Sequence, residues 1–208
     1  MIKVLLINGS PRPKGCTYTA LNEIIKVLDL EGIETELFQV GSDPIRGCTA
    51  CRGCSNIDRC IFDDDPVNIV IDKAKEADGF VFGSPVHYGA ASGHIKSLLD
   101  RVFYSSRDIF ANKPGAAVVS SRRGGASAAL DQLNKYFTGC GMPVVSSQYW
   151  NMVHGNTPEE VRQDLEGMQT CRTLGRNMAW LLKSIQAGKE AGIQYPVREP
   201  RVVTNFIR

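Results

Sequence analysis

The sequence predicts an α/β fold: a three-layer, doubly wound sheet of five parallel strands in the order 2-1-3-4-5. Three observations lead there. Short apolar runs alternate with amphipathic stretches five times along the 208 residues. That length suits one domain with a substantial core. Hydrophobic residues make up 43% and charged residues 22%, the balance of a soluble globular chain rather than a disordered one. Parallel neighbours need a crossover, and right-handed crossovers put helices on both faces of the sheet.

Each element has its own reason. Val4, Leu5, Leu6 and Ile7 form a continuous apolar run, the first strand, over 3–7. Leu21, Ile24, Ile25 and Leu28 make a helical stripe over 17–30, and Gly32 stops it. Residues 35–40 alternate as a second strand. Asp65 precedes Pro66 as an N-cap before proline at the first helical position, and Val67, Val70, Ile71 and Ala74 supply the apolar face behind. Residues 79–82 read as a short buried strand. Ile95, Leu98, Leu99 and Val102 mark a third helix, 115–120 a fourth strand, and Ala129, Leu130, Leu133 and Phe137 a fourth helix closed near Gly139. The fifth strand is expected at 143–147. Thr157-Pro158-Glu159-Glu160 is a capping box, and the helix behind it is expected to run to about Gly188, with Gly167 and Gly175 as its weak points. The fold is expected to occupy 1–190. The tail 191–208 carries Pro196 and Pro200 and no helical period. It is expected to lie extended on the body or on a second subunit.

Lys and Arg number 24 against 22 Asp and Glu, so the formal net charge is +2. That balance gives no reason to expect a nucleic-acid or membrane partner. The apolar runs fall far short of a bilayer span. The start of the chain is too short in apolar residues for a signal-peptide core, so the expected location is the cytoplasm. Seven cysteines in such a chain point to metal, redox or buried thiols rather than a disulfide framework.

In an open parallel sheet, ligands bind at the carboxyl ends of the strands, near the switch in strand order. The loop after the first strand, Asn8 to Thr19, is rich in Gly, Ser and Thr and carries Arg12 and Lys14. It runs into a helix N-terminus, where backbone N–H groups, hydroxyls and the helix dipole suit a phosphate. It lacks the dinucleotide and P-loop glycine patterns, which favours a terminal monophosphate. After the third strand, Gly83 to Gly93 lets backbone approach a flat ligand, with Val86 and Tyr88 as surface and His87 as a hydrogen-bonding group. Ser120-Ser121-Arg122-Arg123-Gly124-Gly125 repeats the hydroxyl-and-glycine pattern after the fourth. Each loop alone has a bland reading, as a turn or a solvated helix start. Their shared position favours a ligand site.

Asn8-Gly9-Ser10-Pro11-Arg12 with Thr17, together with Gly83-Ser84-Pro85-Val86-His87-Tyr88-Gly89, Ser92-Gly93 and Leu99-Asp100-Arg101, resembles the NADPH-dependent FMN reductase family of flavodoxin-like proteins. The resemblance covers roughly the first 150 residues. It implies bound FMN, its phosphate held by Ser10, Arg12, Cys16, Thr17 and Thr19. The flavin ring would rest on Pro85, Val86, His87, Tyr88 and Gly89, with Ser121, Gly124 and Gly125 on the other side. Many members have Asn where Cys16 stands, and a thiol is the poorer donor. The resemblance further implies hydride transfer from NAD(P)H, with the chemistry on the flavin and no catalytic side chain required. Asp63-Asp64-Asp65 is then read as helix capping.

Cys48, Cys51, Cys54 and Cys60 follow C-x2-C-x2-C-x5-C after the second strand. Short gaps let thiolates converge on one centre, and the order favours a 4Fe–4S cluster over zinc, whose sites come as separated pairs. The pattern resembles iron–sulfur flavoproteins, a branch of the same superfamily; zinc and free thiols remain the alternatives. Cys140 and Cys171 are lone and read as buried packing residues. Trp150, after the fifth strand, reads as an interface or core aromatic, and His154 receives no role. The leading reading is an FMN-dependent NAD(P)H oxidoreductase, a homodimer or homotetramer. The competing one is an electron carrier without its own substrate site, for which stronger acidity is expected.

Overall fold

A computed structural model describes residues 1–200 and 202–207. The central sheet contains β1 (Lys3–Asn8), β2 (Glu34–Gln39), β3 (Gly79–His87), β5 (Gly115–Ser121) and β6 (Met152–His154), all parallel, in the order β2-β1-β3-β5-β6. Counted among these five, that is the predicted 2-1-3-4-5 order. β4 (Ala90–Ala91) pairs antiparallel with the end of β3, so β3 runs well past its expected limit into a hairpin.

Alternation along each strand builds two cores, because successive side chains point to opposite faces. Leu5, Ile7, Phe80, Phe82, Ala117 and Val119 pack against α2 (Val67–Glu76), α3 (Gly93–Ser106) and α4 (Ala126–Gly139). Val4, Leu6, Val81, Ala116 and Val118 pack against α1 (Cys16–Leu30) and α6 (Leu165–Glu190).

Two expectations need correction. The fifth strand is not at 143–147. Val144 makes one isolated bridge to Gly115. Ser147 Oγ then donates to Thr170 O (2.7 Å), and Ser146 O accepts from Asn177 Nδ2 (2.8 Å). These hydroxyl and carbonyl groups are satisfied by α6 rather than by the sheet. The chain rejoins the edge at Met152–His154, opposite Val119–Ser121. Nor is the last helix continuous from 157. α5 (Pro158–Gln163) ends at Asp164, whose ψ of 79° leaves the helical region. Asp164 then caps α6 through Gly167 N (2.9 Å) and also accepts from His154 N (2.7 Å). Gly167 and Gly175, the expected weak points, lie inside unbroken helix. A Cβ at Gly175 would sit 2.9 Å from Val27 Cβ, so the glycine is where α6 presses onto α1.

Beyond Glu190 the described residues form no helix or strand, and Val197, Val202, Val203, Phe206 and Ile207 are exposed. No described helix is long and apolar enough to cross a membrane.

Candidate flavin site and cysteine loop

The loop after β1 is shaped by buried polar groups. Asn8, fully buried, accepts from Ser10 N (3.1 Å) and donates to Gln39 Oε1 (2.6 Å). Gln39 Nε2 returns to Ser10 O (2.7 Å), and Ser10 Oγ accepts from Arg12 N (3.2 Å). Gly9 N donates to Gly83 O (2.8 Å), and Ser92 Oγ donates to Gly9 O (3.0 Å), which ties the first loop to the third. A Cβ at Gly9 would lie 2.5 Å from Ile95 Cβ, so only glycine permits that approach.

Gly15 stands at the N-cap of α1 and supplies no side-chain cap, and the first turn carries no acidic residue. Its first N–H groups are unspent and its dipole uncompensated, the condition for holding an anion. A cleft of about 390 Å³ opens there. Ser10, Arg12, Cys16 and Thr17 line one side, and Pro85, Val86, His87 and Ser121 the other. Thr17 Oγ1 lies 2.9 Å from Ser120 Oγ. Burial pushes the Cys16 thiol up, against the pull of nearby Arg12.

The remaining predicted residues lie outside this lining. Thr19 donates its hydroxyl to Gly15 O (3.1 Å). Tyr88 stands fully exposed at the hairpin tip with a φ of 50°. Gly125 has a φ of 91°, and a Cβ there would lie only 2.5 Å from Gly89 Cα, so these two glycines let the loops after β3 and β5 touch. Gly124 beside it has open space. Ser120 and Arg122, from the loop the sequence singled out after the fourth strand, also line the cleft, and so do two residues not expected there, Gly155 and Asn156. The last two follow β6, whose true position the sequence pattern misplaces. His154 Nδ1 lies 3.2 Å from Ser121 Oγ. Trp150 is largely exposed against Tyr149.

A second cleft, about 470 Å³, shares Pro11 and His87 with the first. Its far wall is Pro44 and Ile45, on the loop that leads into the cysteines. Asp43 O, held by His94 Nε2 (2.8 Å), fixes that loop against the start of α3.

Cys48, Cys51, Cys54 and Cys60 all line one cavity. Ala50, Arg52 and Asp58 are left-handed there, which curls the loop around its thiols. Asn68, buried on α2, staples the far limb by bonding Cys60 N, Cys60 O and Phe62 O (3.0, 2.9 and 3.3 Å). Ser106 Oγ donates to Asp58 O (2.6 Å). Burial, reinforced by the neighbouring cysteines, pushes the Cys54 thiol up. Among the described residues no three His, Cys, Asp or Glu groups are placed to hold a single metal ion. Zinc needs four ligands drawn to one point at about 2.3 Å. A 4Fe–4S centre would instead take one thiolate per iron, and the four cysteines that line this cavity are a donor set of that kind. Asp65 is not the N-cap expected, since α2 starts at Val67 with Pro66 in the cap position; its carboxylate accepts from Val67 N (3.2 Å) and pairs with buried Arg101. Cys140 and Cys171 are buried as expected, and burial pushes Cys171 up to about 12.

The model of the NADPH-dependent FMN reductase family matches residues 2–157. An iron–sulfur flavoprotein of Methanocaldococcus jannaschii is 34% identical over 197 residues, covering 89% of this chain and all of that protein. Another, from Methanosarcina thermophila, is 30% identical and covers 91% of this chain and all of its own. The structure of RosB with bound 8-demethyl-8-formylriboflavin-5'-phosphate matches the fold with a TM-score of 0.66 at 16% identity, over 100% of this chain and 94% of that one. With the family model spanning three quarters of its length, the chain belongs to the NADPH-dependent FMN reductase family of flavodoxin-like proteins, alongside the iron–sulfur flavoproteins.

Proposed function

We propose that this protein is an FMN-dependent NAD(P)H oxidoreductase whose cysteine loop, Cys48, Cys51, Cys54 and Cys60, carries a 4Fe–4S cluster. The observation that carries the reading is the cleft at the carboxyl edge of β1, β3 and β5, where the uncapped start of α1 faces the Pro85–His87 backbone. The names of the relatives, iron–sulfur flavoproteins, support the cluster. Bound FMN supplies hydride acceptance and electron release, and a 4Fe–4S centre supplies one-electron transfer.

The protein's own residues bind and orient. The α1 N–H groups, Arg12 and the Ser10 and Thr17 hydroxyls would hold the phosphate dianion by charge-assisted bonds. Backbone from Pro85 to His87 gives the ring a flat floor. Ser121, whose hydroxyl donates to Arg123 O (3.1 Å) and lies near His154, borders the same cleft. The second cleft, between His87 and Pro44-Ile45, is left for the nicotinamide or the acceptor.

The test is anaerobic mixing with NADPH or NADH and no partner protein, followed by flavin absorbance. Bleaching within the time of a turnover supports the oxidoreductase. Flavin that stays oxidised with both nucleotides, yet is reduced by a reduced electron-transfer protein, contradicts it and leaves an electron carrier.

A further inference from the structure

We propose that Arg101 is a positioning residue of the cysteine site: its buried guanidinium grips the Cys60 sulfur with two N–H groups and raises the reduction potential of the cluster carried there. This rests on the cluster reading above and goes beyond it, since the four cysteine positions alone do not distinguish one sulfur from another.

Arg101 heads the fully buried side chains of the molecule, at 2% exposure. Burying a guanidinium costs heavily unless every donor is used. Here all five are used. Nε and one Nη2 N–H donate to Cys60 Sγ, each at 3.3 Å. The other Nη2 N–H donates to Phe62 O (3.0 Å), and Nη1 donates to Arg46 O (3.2 Å) and to the Asp65 carboxylate.

These partners have an order in the chain. Arg46 precedes the first cysteine, Cys60 is the last, and Phe62 and Asp65 lie just beyond it. One side chain therefore ties the two ends of the loop together and to α3. Among the described residues, Cys60 is the one thiol of the four whose sulfur receives a side-chain donor. Cys48 and Cys51 are exposed and Cys54 and Cys60 are both half-buried, so what sets Cys60 apart is the guanidinium on its sulfur.

The electrostatics give the direction. Hydrogen bonds to ligand sulfurs stabilise the more electron-rich state and raise the potential. Asp65 neutralises the guanidinium, so the effect comes from the aimed N–H groups more than from net charge. Lysine keeps the charge for Asp65 but has no planar fork, and cannot reach sulfur, two carbonyls and a carboxylate together.

The experiment compares full-length wild type, Arg101→Lys and Arg52→Gln after anaerobic reconstitution with iron and sulfide. It reads iron per chain, cluster midpoint potential by EPR-monitored titration, and the half-life of iron loss to a chelator. Arg52 lines the same cavity, yet donates to none of the four sulfurs among the described contacts, so it controls for charge. Arg101→Lys is expected to shift the one-electron equilibrium at least tenfold toward the oxidised state, ~59 mV lower, and to lose iron faster. Arg52→Gln is expected to shift it less than threefold. If Arg101→Lys is not folded by circular dichroism, Arg101→Gln with Asp65→Asn, which removes both members of the pair, is read with the same expectation. A wild-type potential and iron half-life in the Arg101 variant overturn the inference alone, as does an equal shift in Arg52→Gln. A wild type that keeps flavin but takes up no iron overturns the cluster reading, and this inference with it.

Discussion

Thr17 and Thr19 sit two positions apart on α1 and end in different surroundings. Residues so spaced point about 200° apart around a helix. Thr17 faces the cleft and bridges to Ser120, while Thr19 spends its hydroxyl on Gly15 O inside its own helix. The family resemblance implied both as phosphate donors; helix geometry gives them different surroundings. Ser10→Ala and Thr17→Ala are expected to weaken FMN binding by about 1–3 kcal/mol each, and Thr19→Ala to leave it unchanged, by fluorescence titration of flavin-free protein. Unchanged affinity in the first two would move the phosphate elsewhere. Arg12, Cys16, Pro85 and Val86, named from the resemblance of the loops at the strand ends, do line the cleft. Asn8, Gln39 and Ser92, which hold the loops in shape, were not legible in that role, since their partners lie far along the chain. Arg101 was visible only as part of the Leu99-Asp100-Arg101 motif, and its role was hidden for the same reason, since only the fold brings Cys60 and Asp65 to it. Burial also sorts the thiols. In iron-free native protein, iodoacetamide at pH 8 is expected to modify Cys48 and Cys51 and spare Cys171, whose thiol burial holds up near 12. Mass spectrometry showing modified Cys171 in folded protein would contradict that placement.

Elements with strong local signals formed where the pattern put them. The Val-Leu-Leu-Ile run of β1 and the stripes of α1 and α4 are decided by burial that periodicity already displays. The end of the sheet was misread because residues 143–147 are apolar enough for a strand, but Ser146 and Ser147 have competing partners on α6. Asp164 was equally invisible, a polar residue inside a helical stretch whose capping role depends on His154 arriving beside it. It ends α5, starts α6 and pins β6 at once. Asp164→Ala is therefore expected to lower unfolding free energy by about 1–2 kcal/mol, toward the upper end of a capping loss, measured by urea denaturation. Because β6 carries Gly155 and Asn156 into the cleft, the same variant is expected to bind FMN more weakly. Wild-type stability and affinity would show that the break has no role in shaping the edge.

The whole molecule obeys one rule, that loops at the carboxyl ends of parallel strands share an edge. That rule made the fold and the general place of the site readable before any contact was known. What it could not supply was the meeting of the second loop with α3, which depends on Asp43, Ile45 and His94. Exposed Val197, Val202, Phe206 and Ile207 in the tail, with Trp150 and Trp180, leave apolar surface that a single chain does not cover. We propose a homo-oligomer; light scattering at micromolar concentration is expected to give at least a dimer, and a monomer would refute it. The central claim is that one chain joins a flavin cleft to a four-thiol cluster loop. It is tested most directly by quantifying flavin, iron and sulfide in anaerobically reconstituted wild type and Cys54→Ala. One FMN with about four iron and four sulfide is expected per wild-type chain, and full flavin with little iron in the variant. Full flavin without iron in the wild type, or iron retained in Cys54→Ala, would contradict it.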